Sequence, residues 1–144
     1  MVQILIVDDH PEILRMVRQL LQEEQGWEIC GEARNGEEAV SKAIELKPDV
    51  IIMDLSTPKL TGVQAARIIS EKEPGARMIL FTVRDVDQQL VDEAQSAGIR
   101  AVLNTSAHNF LVCAVRVLLQ GEMGTFFALT RMERSANPMN SDST

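Results

Sequence analysis

The chain contains no tyrosine, one tryptophan and four phenylalanines, so aromatics make up only 3% of its 144 residues. Stacking platforms for single-stranded nucleic acid need aromatics interleaved with cations, and no such stretch occurs. Cations are also in deficit. Fourteen Lys and Arg stand against 21 Asp and Glu, a formal net charge of −7. Release of counterions from DNA, or adsorption to anionic lipid, requires clustered positive charge. No basic patch is present, which argues against a general ligand of either. No apolar run approaches the roughly 20 residues of a membrane span. The first residues enter a short apolar stretch followed by acids, without a basic n-region or a small-residue cleavage site, so no signal peptide is read. Cysteine is scarce as well. Cys30 and Cys113 lie far apart among apolar neighbours and are expected to be buried, reduced thiols of a cytoplasmic protein.

What remains is a globular composition, 45% apolar and 24% charged, in a length suited to one domain. Short apolar runs alternate with longer amphipathic ones. Ile4-Leu5-Ile6-Val7 ends in Asp8-Asp9, Val50-Ile51-Ile52-Met53 ends in Asp54, Met78-Ile79-Leu80-Phe81 ends in Thr82, and Ala101-Val102-Leu103 ends in Asn104. Continuous apolar runs of this length fit strands covered on both faces. Trp27 to Ala33 carries Glu28 and Glu32 and fits an exposed edge strand, with Trp27 packing.

Between the runs lie helical patterns with readable ends. Pro11 fits the first turn of helix one, and Gly26 follows its end. Asn35 with Glu38, Thr61 with Gln64, and Asp85 with Gln88 read as capping boxes of helices two, three and four. Pro74-Gly75 and Gly98 close the third and fourth. Ser106 reads as the cap of helix five, which Gly121 ends. Five successive β-α units predict a parallel sheet with helices on both faces. Ligands of such sheets bind beyond the carboxyl ends of the strands, where Asp8, Asp9, Asp54, Thr82 and Asn104 should gather. The pattern dissolves from about Thr125, and Ala136 to Thr144 reads as a disordered tail. The expected division is a domain over 1–121 and a largely disordered extension over 122–144.

Three carboxylates at the ends of two central strands repel one another unless something compensates. Solvent exposure and helix capping would explain an isolated Asp-Asp pair, but a third Asp converging on it points to a hard divalent cation, Mg²⁺ or Mn²⁺. Such ions take oxygen ligands and keep several waters, and a bound ion admits a phosphoryl group that bare carboxylates exclude. His10 fits a loop better than a ligand, because Mg²⁺ prefers oxygen.

Asp8-Asp9-His10-Pro11 after the first strand resembles the acidic pair of the receiver domains of two-component response regulators. Asp54-Leu55-Ser56-Thr57-Pro58 followed by Gly62 resembles their phosphoacceptor loop, and Thr82 their switch hydroxyl. The resemblance runs from about Gln3 to Gln120, and the opening is most similar to receivers usually followed by a helix-turn-helix. It implies a doubly wound, flavodoxin-like (βα)5 domain with strand order 2-1-3-4-5. It implies that Asp54 accepts a phosphoryl group from a sensor histidine kinase or phosphotransfer protein, forming an acyl phosphate. It further implies that Asp9, Asp54 and the Ser56 backbone carbonyl ligate Mg²⁺, with Asp8 acting through a water. Thr82 would then bind a phosphoryl oxygen and shift the fourth helix.

Two positions depart from the family pattern. Asn104 stands where receivers carry Lys, and it offers a neutral amide dipole in place of a fixed charge. Charge-assisted bonds are about twice as strong as neutral ones, so the loss should weaken the phosphorylated state by something on the order of 1–2 kcal/mol. Ala101 stands where a Tyr or Phe changes rotamer, and it has no rotamer to change. Thr57 replaces a common Met. Arg84, two residues after Thr82, is a candidate compensating cation, set against the ordinary reading of a solvated loop Arg. Lys59 is a weaker one.

These residues favour a phosphoacceptor module, not an enzyme, acting on an unknown downstream protein. The alternative is a degenerate receiver that binds partners without phosphate. A dehalogenase-like phosphatase would want an Asp at Ser56, and a nucleotide or flavin binder would want a phosphate cradle where Asp8-Asp9 stand. His108 is expected to be exposed, and Phe126 and Phe127 either fold back or mark a contact surface. Direct binding of nucleic acid or membrane is not expected. Receivers commonly pair through helices one and five, or through helix four, strand five and helix five, so a homodimer is compatible with the resemblance. Leu129 to Arg134 faintly resembles the start of a further domain, so the chain reads equally as a fragment of a longer regulator.

Overall fold

The structure is a computed structural model and describes residues 1–56, 59–121 and 126–129. Strands β1 (Val2–Val7), β2 (Trp27–Ala33), β3 (Val50–Met53), β4 (Arg77–Thr82) and β5 (Ala101–Asn104) alternate with helices α1 (Pro11–Gln22), α2 (Gly36–Leu46), α3 (Gly62–Lys72), α4 (Gln88–Ser96) and α5 (Leu111–Gln120). All strand pairs are parallel, in the order β2-β1-β3-β4-β5, as expected. A sixth strand, β6 (Phe127–Leu129), pairs in parallel with β5 and extends the sheet.

The apolar runs sort their side chains by the two-residue period of a strand. Leu5, Val7, Ile51, Met53, Met78, Leu80 and Val102 join the core beneath α2, α3 and α4. Ile4, Ile6, Val50, Ile52, Ile79, Phe81, Ala101 and Leu103 join the core beneath α1 and α5. Helix α1 buries Leu14, Val17 and Leu21, a stripe at helical spacing. Edge strand β2 is only half-buried apart from Ala33. Its Glu32 pairs with Arg18, and Glu28 accepts from Gln3.

Several local expectations need correction. Thr61 and Gln64 make a full capping box. Asn35 caps α2 by accepting from the Glu38 N–H, but the Glu38 carboxylate accepts from the Arg34 N–H, one residue too early for a box. Helix α4 is capped by Asp87, which accepts from Leu90 N–H, and not by Asp85. Ser106 caps nothing. A 3₁₀ segment, Thr105–Phe110, precedes α5, and Asn104 caps it.

Within the extension after Gly121, where no strand was expected, β6 spans Phe127–Leu129. Phe126 and Ala128 pack against the core on the α4 side. Residues 57–58, 122–125 and 130–144 lie outside the described residues, and with them Thr57, Pro58 and the Ala136 to Thr144 tail. Cys30 is half-buried and Cys113 exposed, so the expectation of two buried thiols fails. Cys113 sits on the outer face of α5, whose apolar residues are more numerous than its buried stripe needs. His108 is half-buried, its Nδ1 3.1 Å from the Thr105 carbonyl. No helix among the described residues is long and apolar enough to cross a membrane.

Candidate functional site

Strands β1 and β3 run side by side, with Val7 paired to Met53. Asp8 and Asp54 therefore leave the sheet next to each other. The Asp8 N–H donates to the Ala33 carbonyl and the Asp54 N–H to the Val7 carbonyl, which pins both main chains to neighbouring strands. Both side chains are buried, 4% and 6% exposed. Asp9 is exposed. Ligand-type atoms of Asp8, Asp9, His10 and Asp54 all lie within 4.8 Å of one another.

His10 belongs to this cluster, although the sequence reading set it aside. It is the N-cap of α1 and precedes Pro11, which holds it in extended backbone. Its own N–H donates to Asp8 Oδ1 at 2.8 Å, a two-residue turn that swings the ring over the acids. Its Nδ1 lies 2.8 Å from Asp8 Oδ1 and 3.2 Å from Asp9 Oδ1. The Asp-x-His spacing was the available signal.

Burial, followed by the charge of Asp8, raises the Asp54 carboxyl above the usual carboxylate range, against backbone N–H groups of Ser56 and Leu55 and the charge of His10. Burial likewise raises Asp8, opposed by the hydrogen bonds and charge of His10. His10 is raised by its hydrogen bond to Asp8 and then by the charges of Asp8 and Asp9. All three groups hold protons more tightly folded than unfolded. Their stabilisation is therefore fully present below the unfolded pKa values and is lost as pH rises through the raised folded ones. Without divalent cations, the protein should lose stability through these groups as pH rises from the ordinary carboxylate range through their raised folded pKa values. Asp54→Asn removes one buried charge and should raise the unfolding free energy near pH 8 by about 1 kcal/mol. Urea melts in chelator near pH 5 and pH 8 check this, and a variant less stable than wild type at the higher pH would contradict it.

Thr82 ends β4 and is buried. Its Oγ1 accepts from the Arg84 N–H at 3.1 Å. A hydroxyl that accepts one bond still has its own proton to donate. Asn104 pairs with Thr82 across β4 and β5, but its side chain is committed elsewhere. Nδ2 donates to the Arg84 carbonyl at 2.8 Å and the Val83 carbonyl at 3.3 Å, and Oδ1 accepts from the Ser106 N–H at 2.8 Å. The neutral amide that stands in place of the family Lys thus tethers the β4–α4 loop to the 3₁₀ segment. Ala101 is fully buried between Ile79 of β4 and Phe127 of β6 in register.

Arg84 is exposed and lines a cleft of about 630 Å³ with Leu55 and Ser56, the two residues after Asp54, and with Arg67 and Glu93. Lys59 turns the other way, in left-handed backbone, with Nζ 3.6 Å from Glu37.

An acidic pocket at the carboxyl ends of β1 and β3, in a doubly wound sheet, is receiver architecture. The family model for the response regulator receiver domain matches residues 4–112. The chain belongs to that family. Response regulator GacA of Pseudomonas viridiflava is 30% identical over 122 residues, which are 85% of this chain and 57% of GacA. Chemotaxis protein CheY of Thermotoga maritima is 39% identical over 96 residues, 67% of this chain and 78% of CheY. The crystal structure of a two-component response regulator of the LuxR family from Aurantimonas sp. SI85-9A1 superposes with a TM-score of 0.80 at 29% identity and 89% coverage of each chain. The chain thus spans little more than half the length of GacA.

Proposed function

We propose that this receiver accepts a phosphoryl group on Asp54 from a sensor histidine kinase or phosphotransfer protein, and that the modified domain changes its binding to a downstream protein in the cytoplasm. The observation that carries the reading is the buried Asp54 carboxyl, held with Asp8, Asp9 and His10 in one cluster. The carboxylate oxygens of Asp8, Asp9 and Asp54 fit Mg²⁺, or Mn²⁺, better than a thiophilic metal, and the His10 Nδ1 of the same cluster is engaged by Asp8. Asp9, Asp54 and the Ser56 backbone carbonyl would hold the ion, with Asp8 acting through a water. When bound, it neutralises the acids and screens the incoming phosphoryl charge.

Asp54 is the nucleophile. One carboxylate oxygen attacks phosphorus, and the bond from phosphorus to the donor breaks with its electron pair leaving on the donor. With phosphohistidine the leaving imidazole then takes a proton. Thr82 donates its free hydroxyl proton to a phosphoryl oxygen, while Arg84 supplies positive charge from the cleft beside Ser56. The role is that of a phosphoacceptor, with one acyl phosphate per chain, and not of an enzyme. Output passes through a protein surface and, in a pair of copies, through the α1–α5 side, because β6 covers the edge of β5 between α4 and α5, without direct contact to nucleic acid or membrane by this domain.

Intact mass after incubation with Mg²⁺ and acetyl phosphate tests the reading. Wild type should gain one phosphoryl group and Asp54→Ala none. Unlabelled wild type beside a labelled control receiver would favour a domain that binds partners without phosphate.

A further inference from the structure

The tether made by Asn104 has a place in the proposed phosphoryl transfer that neither its neutral amide nor its position in β5 suggests. Where relatives place a Lys aimed at the phosphoryl group, this chain places a side chain whose three hydrogen bonds all go to main chain. Two of them hold the carbonyls of Val83 and Arg84, and the third holds the Ser106 N–H. The same loop is tied from the other side, since the Arg84 N–H donates to Thr82 Oγ1. Both polar ends of the Arg84 main chain are thereby fixed, one to β4 and one to β5. Arg84 lines a cleft together with Leu55 and Ser56, the two residues that follow Asp54. Among the described residues Arg84 forms no ion pair.

We infer that Asn104 is a positioning residue for phosphoryl transfer. It holds the β4–α4 loop so that Arg84 supplies from that loop the positive charge that relatives supply from β5. The inference rests on the reading that Asp54 is phosphorylated. Asn104 does not touch the phosphoryl group. Its amide fixes the main chain from which Arg84 extends, and it leaves the Thr82 hydroxyl oriented by the Arg84 N–H with its proton free. A Lys at 104 could donate to the same carbonyls but could not accept from Ser106 N–H, so the tether needs a side chain that is donor and acceptor at once. Asn meets that need.

The test is a double-mutant cycle on the second-order rate constant for labelling by acetyl phosphate with Mg²⁺. In that step an Asp54 oxygen bonds to phosphorus and acetate leaves with the electron pair. Arg84→Ala should slow labelling roughly tenfold, the scale of one charge-assisted interaction. Asn104→Ala should slow it by a similar factor in the wild-type background and hardly at all in Arg84→Ala, because both act through one group. Asn104→Lys should restore most of the rate lost in Arg84→Ala by returning the charge to β5.

A separate readout needs no phosphate. Amide hydrogen exchange of Arg84 and its neighbours in metal-free protein should rise at least about tenfold in Asn104→Ala. The stabilisation by Mg²⁺ in thermal melts should stay as in wild type. Additive effects of the two Ala substitutions, or unchanged exchange of the loop, would overturn the inference while leaving Asp54 phosphorylation standing. No labelling of wild type at all would remove both.

Discussion

Gly62→Ala should lower the unfolding free energy by about 2–3 kcal/mol, although alanine is the better helix former by nearly 1 kcal/mol. Gly62 is the first residue of α3, and its N–H donates to the Leu55 carbonyl at 2.8 Å. A Cβ there would sit 2.4 Å from the Asp54 carbonyl oxygen and 3.1 Å from both Leu55 Cα and Leu80 Cδ1. The first two neighbours are main chain of the acceptor loop, which is pinned to β1 through the Asp54 N–H. Leu80 can rotate away, but the closest clash is with main chain, which no rotamer change relieves. Relief therefore moves the Asp54 main chain, so the variant should lose phosphorylation rate as well as stability. Urea unfolding measures the first effect and intact-mass kinetics the second. A stability change below about 0.5 kcal/mol would show that the loop relaxes freely.

Asn104→Ala should cost about 2–3 kcal/mol, an N-cap together with a buried pair of hydrogen bonds. The Ser106 N–H and the Arg84 carbonyl would both lose their partners. Asn104→Asp keeps the acceptor for Ser106 but turns the donor toward the loop carbonyls into a second acceptor. It should therefore be at least as unstable as the Ala variant near neutral pH. Asn104→Lys should fall between wild type and Ala, since it restores a donor but no cap. Chemical unfolding of the three variants ranks them, and a Lys variant more stable than wild type would contradict the tether.

The central strands could be read from the sequence because burial on both faces leaves an uninterrupted apolar run, and Asp8, Asp54 and Thr82 follow directly from where those runs stop. Asn104 also falls where the pattern puts it, but its hydrogen-bond partners are not legible there. Position in a strand fixes where a side chain starts and says nothing of which main-chain groups remain unpaired nearby. The cap of α4 was placed two residues early for a related reason. Asp85 and Asp87 are chemically equal, and only the path of the β4–α4 loop, set by Asn104 and Thr82, decides which begins the helix. His10 was discounted on metal preference, whereas its position is decided by the turn from Asp8 and by Pro11. Strand β6 carried too short a pattern to register, and it exists because β5 offers an unpaired edge.

That last strand bears on where the folding unit ends. A parallel sheet closed at β5 would expose a row of unpaired N–H and C=O groups beside the fully buried residues Ala101, Val102 and Leu103, a template for pairing with other chains. Strand β6, Phe127–Leu129, occupies that row. At the opposite margin β2 carries Glu28 and Glu32, charges that discourage stacking. The two margins are thus protected by different means, one by charge and one by a borrowed strand. A cut after Gly121 would keep the acidic pocket whole while stripping one margin bare, so the shortened chain would be prone to self-association at high concentration.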